Sequence, residues 1–373
     1  MECNYFGKCG SCTLYEMKYN EQVELKKQKL KELFEIEDFD LFLSPSSHYR
    51  SRAEFRIWHD EEGISYAMSG LEKKEVIKID KCPKVIKKIY DIMEPLKIEI
   101  EKSNMLRERL FGIEFLASSS DMLISLLYHK KIDERWDGYA KELEKRLGVS
   151  IIGRSRKVKR VISKEFIKES IEINRGNFTQ NNIQNFTYFI AENSFSQPNS
   201  FVNSKMISWA LKHIEEPEDL LELYCGHGNF TIPLSFEFTK VLATEISKNS
   251  IKYAKINCDL NSVKNIEFLR MSALELTSAL DKKREFRRLE NIDLDSYNFS
   301  HVLVDPPRAG IDEESLEFIS RFKNIIYISC NPTTLKRDLD ILTKKFRIEK
   351  FAMFDQFPHT LHVECGVILT RFM

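Results

Sequence analysis

The chain carries the stretch His301-Val302-Leu303-Val304-Asp305-Pro306-Pro307-Arg308 and, shortly after it, the stretch Ile325-Ile326-Tyr327-Ile328-Ser329-Cys330-Asn331-Pro332. Each is a short hydrophobic run followed at once by polar residues and proline, which is typical of a buried strand that ends in a corner. The carboxyl ends of parallel strands open at one edge of a sheet, where α/β proteins bind their ligands. We therefore expect Asp305 and Cys330 to share one crevice.

A strand, a glycine turn and a helix are predicted from residues 220–231, which read LLELYCGHGNFT. Glycines in such a turn let a cofactor approach the backbone, and the new helix offers free N–H groups to a carboxylate or phosphate. A second strand, residues 241–244, leads to Glu245, where a carboxylate can accept hydrogen bonds from both hydroxyls of a ribose. Residue 231 is Thr and not the third glycine of a dinucleotide-binding turn, so the pattern favours S-adenosyl-L-methionine. A core unit with an incidental turn is the alternative.

The spacing of the strands predicts two architectures in one chain. Further strands at 266–270 and 301–304, with helices between them, continue a parallel α/β sheet of the Rossmann-like, doubly wound type. Residues 49–59 instead alternate between apolar and charged side chains, and closely spaced strands follow, which favours a smaller antiparallel α+β unit. The predicted divisions are a cysteine segment with a helix in residues 1–35, a recognition domain in 36–190 and a cofactor-binding domain in 191–373.

Composition excludes several classes of protein. With 57 basic and 57 acidic residues among 373, the chain has no net charge, so a nucleic-acid partner would need a local basic patch. No window approaches the roughly 20 apolar residues of a membrane span, and the N-terminus lacks the pattern of a secretory signal. We expect a cytoplasmic, monomeric protein that does not bind membranes. Eight cysteines are too few for a disulfide scaffold.

Cysteines near the N-terminus form a candidate metal site. Cys3, Cys9 and Cys12 follow the spacing C-x5-C-x2-C, and Cys82, which precedes a proline, is the best candidate for a fourth ligand. Ligation by thiolates alone would suit zinc or a 4Fe-4S cluster, and the spacing does not distinguish them. An incidental group of cysteines is the alternative. A charged helix is predicted at residues 14–34, with its lysines forming a solvated surface.

Basic residues are concentrated in two places in the recognition domain. Arg50 and Arg52 lie on the polar face of the alternating segment, and residues 153–160 contain five basic residues and no acid. Arg156 and Lys159 are therefore candidates for phosphate contacts, although a solvated surface would have the same composition. Phe111 is the kind of aromatic residue that stacks on an unpaired base, or else packs in a core.

Cys330 and Glu364 together suggest methylation of a pyrimidine carbon. C5 of a pyrimidine is a poor nucleophile, but addition of a thiolate to C6 makes C5 an enolate carbon that can attack a methyl sulfonium. The C5 proton must then be removed by a base on the opposite face before the thiolate leaves. Cys330 suits the first role, and Glu364, just before a predicted final strand at 367–370, suits the second. A structural cysteine and an exposed glutamate are the alternatives.

Several long stretches of the chain resemble one family of enzymes. They are residues 47–50 (SHYR), 52–59 (RAEFRIWH), 125–131 (SLLYHKK), 192–195 (ENSF), 197–199 (QPN), 221–230, 304–308, 329–332, 354–358 (FDQFP) and 362–366 (HVECG). From about residue 44 to the C-terminus, the sequence resembles the tRNA (uracil-5-)-methyltransferase family, within the class of RNA uracil-5-methyltransferases. The resemblance implies a Rossmann-like S-adenosylmethionine-dependent methyltransferase sheet, preceded by a smaller RNA-binding domain.

The resemblance also implies a reaction and the residues that perform it. The substrate would be the uridine at position fifty-four in the tRNA T-loop, extracted from its loop and converted to 5-methyluridine, with the equivalent uridine of transfer-messenger RNA as a second target. Cys330 would be the nucleophile and Glu364 the base. Arg308 would orient the uracil, and Phe111 would stack on exposed bases. The implied S-adenosylmethionine-binding residues are Gln197, Tyr224, Asn229, Glu245 and Asp305.

Two features depart from the family pattern. His227 stands between the two glycines where relatives carry a smaller residue, and we expect little effect because such a side chain points away. The N-terminal cysteines resemble the iron–sulfur ligands of the related ribosomal RNA uracil-5-methyltransferases, which makes ribosomal RNA the rival substrate. A noncatalytic tRNA-binding or folding factor is the remaining alternative, but such a protein would be expected to lack Cys330, Glu364 or Asp305.

Overall fold

The computed structural model describes residues 1–72, 74–176 and 182–372 of the chain. The strands within these ranges are β1 (Asp40–Phe42), β2 (Arg52–Asp60), β3 (Gly63–Ser69), β4 (Val76–Ile79), β5 (Leu110–Ala117), β6 (Met122–Tyr128), β7 (Ser150–Ser155), β8 (Val158–Val161), β9 (Phe166–Asn174), β10 (Ile183–Ala191), β11 (Asp219–Leu223), β12 (Lys240–Thr244), β13 (Ile266–Leu269), β14 (Phe299–Val304), β15 (Asn324–Ser329), β16 (Phe346–Phe354) and β17 (Glu364–Arg371). The α-helices are α1 (Tyr19–Phe34), α2 (Lys87–Glu101), α3 (Asn104–Arg107), α4 (Glu134–Leu147), α5 (Ser200–Lys212), α6 (Thr231–Leu234), α7 (Lys248–Leu260), α8 (Ala273–Leu280), α9 (Glu313–Ile319) and α10 (Pro332–Leu342).

The C-terminal part of the chain is built on an eight-stranded sheet with the order β1-β16-β17-β15-β14-β11-β12-β13. Every neighbouring pair among strands β11 to β15 is parallel. β17 is antiparallel to both of its neighbours, β15 and β16. Helices pack on both faces, and the central strands are buried throughout because both of their faces are covered. This confirms the predicted Rossmann-like sheet.

The N-terminal part of the chain is built on a seven-stranded sheet with the order β4-β3-β2-β5-β6-β7-β8. The pairs are antiparallel except for β6 with β7, which are parallel and joined through α4. In β2 the apolar side chains alternate as predicted, with Ala53, Phe55 and Ile57 buried. The predicted smaller α+β unit is therefore present.

The two sheets share a hydrophobic core through the hairpin β9-β10. Leu116 and Ile152 of the N-terminal sheet belong to the same buried cluster as Phe186 of the hairpin and Leu220 of the large sheet. In addition, β1 pairs with β16, although the predicted division assigns residues 40–42 to the recognition domain. The division of the chain into domains stays a prediction.

The N-terminal helix is shorter and more buried than its sequence predicts. It begins at Tyr19 and not at residue 14, and it ends at Phe34. The prediction that its lysines form a solvated surface is wrong for Lys26, whose side chain is only 1% exposed and pairs with Asp355. Among the residues that the model describes, no helix is long and apolar enough to cross a membrane.

Candidate active site

The proposed nucleophile and base are brought together by the pairing of two strands. β15 ends at Ser329, directly before Cys330, and β17 begins at Glu364. Because these strands are antiparallel, with Ser329 opposite Cys365, the end of one lies beside the start of the other. β14 lies on the other side of β15 and delivers Asp305 to the same edge. The expectation that Asp305 and Cys330 share one crevice is consistent with this arrangement.

Burial and the neighbouring charges determine how easily the thiol of Cys330 ionises. Burial, and after it the charges of Glu364 and Asp305, raise the pKa of Cys330 to about 11, although the charge and a hydrogen bond of Arg308 act in the opposite direction. Glu364 is only 3% exposed, and burial followed by the charge of Asp305 holds its pKa well above the usual range. Burial also raises the pKa of Asp305 to about 7. In the ligand-free site, the Cys330 thiol and the Glu364 carboxyl are therefore protonated at neutral pH, whereas Asp305 is only partly protonated.

Backbone geometry at the glycine turn matches the cofactor prediction. Tyr224, Gly226 and Gly228 have positive φ angles of 63°, 57° and 90°, a left-handed conformation that exposes the backbone of the turn. The carboxylate of Glu245 accepts hydrogen bonds from the N–H of Gly226 at 3.2 Å and of Ser247 at 2.7 Å. Glu245 is thus fixed beside the turn, as a ribose-binding acid should be.

Two amide side chains border the turn and the Asp305 carboxyl. Asn229 exchanges two hydrogen bonds with Asn203, at 2.8 and 2.9 Å, which fix the plane of its amide. Gln197 is buried, and its Nε2 lies 3.5 Å from Oδ2 of Asp305. The five residues implied to bind the cofactor therefore lie along the carboxyl edge of the large sheet.

Sequence reasoning missed one further acid at this edge, Glu222. It is 1% exposed, its Oε2 has no hydrogen-bond partner within the described ranges, and burial raises its pKa to about 8. Among the described residues, no ion pair involves Glu222, Asp305 or Glu364. Buried carboxyl groups without cationic partners are costly unless a ligand supplies the charge. The signal was present, because an acid inside the run Leu220-Leu221-Glu222-Leu223 is unexpected in a buried strand.

His227 is more enclosed than its position in the turn predicts. Its side chain is buried, and burial lowers its pKa to about 4, so that the ring is neutral. The ring packs edge-on against Tyr188, with centroids 5.8 Å apart. It therefore packs into the protein interior and not into solvent.

An open cavity of about 680 Å³ adjoins the catalytic edge. Arg308 and His362 line one side, with 3.3 Å between Nη2 of Arg308 and Nδ1 of His362. Arg50 and the cysteine segment at Gly10 and Ser11 line the opposite side. The N-terminal segment thus lines the same cavity as Arg308, the residue that follows the Asp-Pro-Pro motif.

The predicted RNA-contacting residues fall into two groups. Phe111 and Arg156 line a second open cavity of about 640 Å³, where the Phe111 ring stacks on His129 with centroids 3.9 Å apart. Arg52 and Lys159 have other partners. The guanidinium of Arg52 donates to the backbone carbonyls of residues 192 and 194, and Lys159 pairs with Glu165 at 2.7 Å.

The four N-terminal cysteines line one small cavity, together with Tyr5, Met68 and Ile79. Burial raises the pKa of the Cys12 thiol to about 11. Within the described ranges, however, no group of three or more cysteine, histidine or acidic side chains is arranged closely enough to hold a metal ion. The fold brings the predicted ligands together but does not show ligand geometry.

A Rossmann-like sheet with a glycine turn, an acid after the second strand and an Asp-Pro-Pro motif at its carboxyl edge is the arrangement of an S-adenosylmethionine-dependent methyltransferase. Within that class, the chain belongs to the tRNA (uracil-5-)-methyltransferase family, whose model matches residues 18–372.

Relatives with high identity cover the whole chain. A tRNA/tmRNA (uracil-C(5))-methyltransferase of Sulfurovum sp. (strain NBC37-1) is 51% identical over 378 residues, with 100% of both chains covered. The protein of the same name from Campylobacter concisus is 50% identical and covers 99% of both chains. The crystal structure of Pyrococcus abyssi tRNA (uracil-54, C5)-methyltransferase in complex with S-adenosyl-L-homocysteine is similar at a TM-score of 0.73 and 26% identity, covering 97% of this chain and 86% of that one.

Proposed function

We propose that this protein methylates C5 of the uridine at position fifty-four in the tRNA T-loop, through a covalent bond between Cys330 and C6 of the uracil. The observation that carries the proposal is the placement of Cys330 beside Glu364 by the antiparallel pairing of β15 and β17, at the cofactor edge of the sheet. A nucleophile, a buried base and a cofactor site at one edge are what C5 methylation requires.

The residues of the chain supply the covalent and proton-transfer steps. The Cys330 thiolate adds to C6, and the electron pair of the C5–C6 bond moves to form an enolate. S-adenosylmethionine, when bound, supplies the methyl group that C5 receives. Glu364 then accepts the C5 proton, the C5–C6 double bond forms again, and the Cys330–C6 bond breaks to release the thiolate. As C5 bonds to the methyl carbon, the carbon–sulfur bond of the sulfonium breaks and its electron pair stays on sulfur, so the products are 5-methyluridine and S-adenosyl-L-homocysteine.

Five residues are proposed to hold the cofactor: Gln197, Tyr224, Asn229, Glu245 and Asp305. The support comes from charge as well as position. S-adenosylmethionine carries a sulfonium and an ammonium group, and the site offers the half-buried Asp305 and the buried Glu222 without cationic partners among the described residues. A cationic cofactor would lower the pKa of these acids and allow Glu364 to ionise as a base.

The names of the relatives support tRNA as the substrate, with transfer-messenger RNA as a second one. The relatives at 51% and 50% identity are named for both RNAs, and the Pyrococcus abyssi enzyme is named for uracil 54. These names favour tRNA over ribosomal RNA, the rival that the cysteine pattern suggested. A tRNA substrate is also consistent with the predicted cytoplasmic location and with a monomeric enzyme.

For RNA contacts, we retain Phe111, Arg156, Arg50 and Arg308. Phe111 and Arg156 line one open cavity, so that an aromatic ring and a cation are available to one stretch of RNA. Arg50 and Arg308 line the cleft beside the active site, where Arg308 would orient the uracil. Arg52 and Lys159 would first have to release their protein partners, which makes them weaker candidates.

The proposal extends to a 4Fe-4S cluster held by Cys3, Cys9, Cys12 and Cys82. The shared cavity and the all-thiolate set support it, and no step of the reaction depends on it. Iron, sulfide and zinc analysis of anaerobically purified protein tests it, together with visible absorbance. Cys12→Ser should lose the metal, and Cys258→Ala, a change of a buried cysteine on α7, should keep it. Wild-type protein without iron, sulfide or zinc would contradict the proposal.

A trapping experiment tests the mechanism. Glu364→Gln should form the bond to C6 and transfer the methyl group but retain the C5 proton, so that a covalent protein–tRNA complex accumulates and migrates slowly on a denaturing gel. Glu364→Gln combined with Cys330→Ala should give no such complex. Full turnover by Glu364→Gln would exclude this residue as the base.

A further inference from the structure

Gln356 lies next to the cofactor site, yet the mechanism does not use it. It lies two residues after the end of β16 and is fully buried. Its Nε2 donates a hydrogen bond to Oε1 of Gln197 at 3.1 Å and lies 3.2 Å from the sulfur of Met206. Its own Oε1 has no hydrogen-bond partner among the described residues, although it is buried.

The hydrogen bond from Gln356 determines the orientation of the Gln197 amide. A glutamine amide has a donor end and an acceptor end of nearly equal shape, so its orientation depends on its partners. Because Oε1 of Gln197 accepts from Gln356, its Nε2 must face Oδ2 of Asp305, 3.5 Å away. In the opposite orientation, the NH₂ group of Gln197 would face the NH₂ group of Gln356, and the amide oxygen of Gln197 would face Oδ2 of Asp305.

Gln356 is itself held from the N-terminal helix. The preceding residue, Asp355, forms an ion pair with Lys26 of α1 at 2.6 Å, and both side chains are at most 1% exposed. The hydroxyl of Tyr19 donates to the second oxygen of Asp355 at 2.7 Å, and Lys26 also donates to the carbonyl of Phe357 at 3.1 Å. The residues on both sides of Gln356 are therefore fixed to one helix.

We propose that Gln356 is a positioning residue for the cofactor: it orients the amide of Gln197, and the Lys26–Asp355 pair holds Gln356 in place. The inference rests on the proposed role of Gln197 in binding S-adenosylmethionine. It also gives α1 a function, because the helix reaches the cofactor site through residues 355–357 and does not merely cover the sheet.

A double-mutant cycle on cofactor binding tests the inference. The affinity for S-adenosyl-L-homocysteine is measured by calorimetry for wild type, Gln197→Ala, Gln356→Met and the double variant. Gln356→Met should weaken binding by roughly three- to tenfold, the effect of one hydrogen bond. Because Gln356 acts through Gln197, the double variant should bind about as weakly as Gln197→Ala alone. Gln28→Met, which changes an exposed glutamine of α1, should bind like wild type.

The outcomes separate this inference from the proposed function. An unchanged affinity of Gln356→Met, or an equal loss in both backgrounds, would overturn the positioning role. An unchanged affinity of Gln197→Ala would instead reject Gln197 as a cofactor residue. If Gln356→Met does not fold, Gln356→Glu replaces it in the test. This variant keeps the shape of the side chain, but its ionised carboxylate cannot donate a hydrogen bond to Gln197. Gln356→Glu should then bind more weakly than wild type at pH 8, and equal binding would contradict the inference.

Discussion

The ionisation of Cys330 gives the most direct physical test of the site, because burial, followed by the charges of Glu364 and Asp305, raises its pKa to about 11. At pH 8, a thiol with that pKa is ionised in about one molecule in a thousand, whereas a thiol with the ordinary value of 9.0 is ionised in about one in ten. Only the thiolate reacts with alkylating reagents. Ligand-free protein should therefore be alkylated at Cys330 about a hundredfold more slowly than an exposed cysteine.

Glu364→Gln is the informative perturbation. Of the neighbouring carboxyl charges, that of Glu364 has the largest effect on the pKa of Cys330, and glutamine preserves the shape of Glu364 without the charge. Each unit by which the pKa falls increases the thiolate fraction at pH 8 tenfold. The variant should therefore be alkylated faster than wild type at the alkaline end of the pH range, where Glu364 is ionised, and at the wild-type rate where Glu364 carries its proton. Arg308→Gln should have the opposite effect, because it removes the group that favours the thiolate.

The assay is the rate of iodoacetamide labelling between pH 7 and pH 10, followed by mass spectrometry of the peptide that contains Cys330. The buried Cys225 and Cys365 serve as internal controls for unfolding, because labelling of either would show that the chain has opened. Labelling of wild-type Cys330 at the rate of a free cysteine, or slower labelling of Glu364→Gln, would refute the account of the charges around the thiol.

Three further predictions concern the cofactor, the fold and the RNA. Asp305 and Glu222, whose pKa values are raised to about 7 and about 8, carry protons at pH 5.5 and lose them towards pH 8. Because the ionised carboxylates attract the cationic cofactor, the thermal stabilisation of the protein by S-adenosylmethionine should increase over that interval, and a constant stabilisation would contradict this prediction. Lys26→Met leaves the buried charge of Asp355 unpaired and should lower the free energy of unfolding in urea by about 3–5 kcal/mol. Lys27→Met removes a half-exposed side chain that pairs with the exposed Glu24, so it should change the free energy of unfolding little; similar values for both variants would contradict the prediction. Phe111→Ala should weaken tRNA binding by about 1–3 kcal/mol in a filter-binding assay and leave methyl transfer at saturating tRNA unchanged, whereas unchanged binding would exclude a stacking role.

Local patterns predicted the strands well, because a strand that is buried on both faces requires a continuous run of apolar residues. The β-branched runs before Asp305 and Cys330 are strands β14 and β15, and the glycine turn after Leu223 is where the sequence predicts it. The predicted partnership of Cys330 with Glu364 came from chemistry and resemblance. Its structural basis, the antiparallel insertion of β17 beside β15, is a long-range pairing that no local pattern records.

Side-chain partners were harder to predict than backbone elements. Alternation placed Arg52 on the polar face of β2, but its hydrogen-bond partners lie 140 and 142 residues away at residues 192 and 194. Lys26 looked like any other lysine of a charged helix, and only the folded chain shows Asp355 beneath it. Gln356 is likewise defined by a contact 159 residues distant in sequence. These side-chain interactions depend on which helices and strands pack against each other in the folded chain. Composition and local periodicity do not predict that packing.

The most direct test of the central claim is methyl transfer from labelled S-adenosylmethionine to unmodified tRNA and to ribosomal RNA in parallel, followed by nucleoside analysis. The account predicts label in 5-methyluridine of the tRNA T-loop, none in ribosomal RNA, and no transfer by Cys330→Ala. Label confined to ribosomal RNA would contradict the proposed substrate, and transfer to tRNA by Cys330→Ala at the wild-type rate would contradict the covalent mechanism.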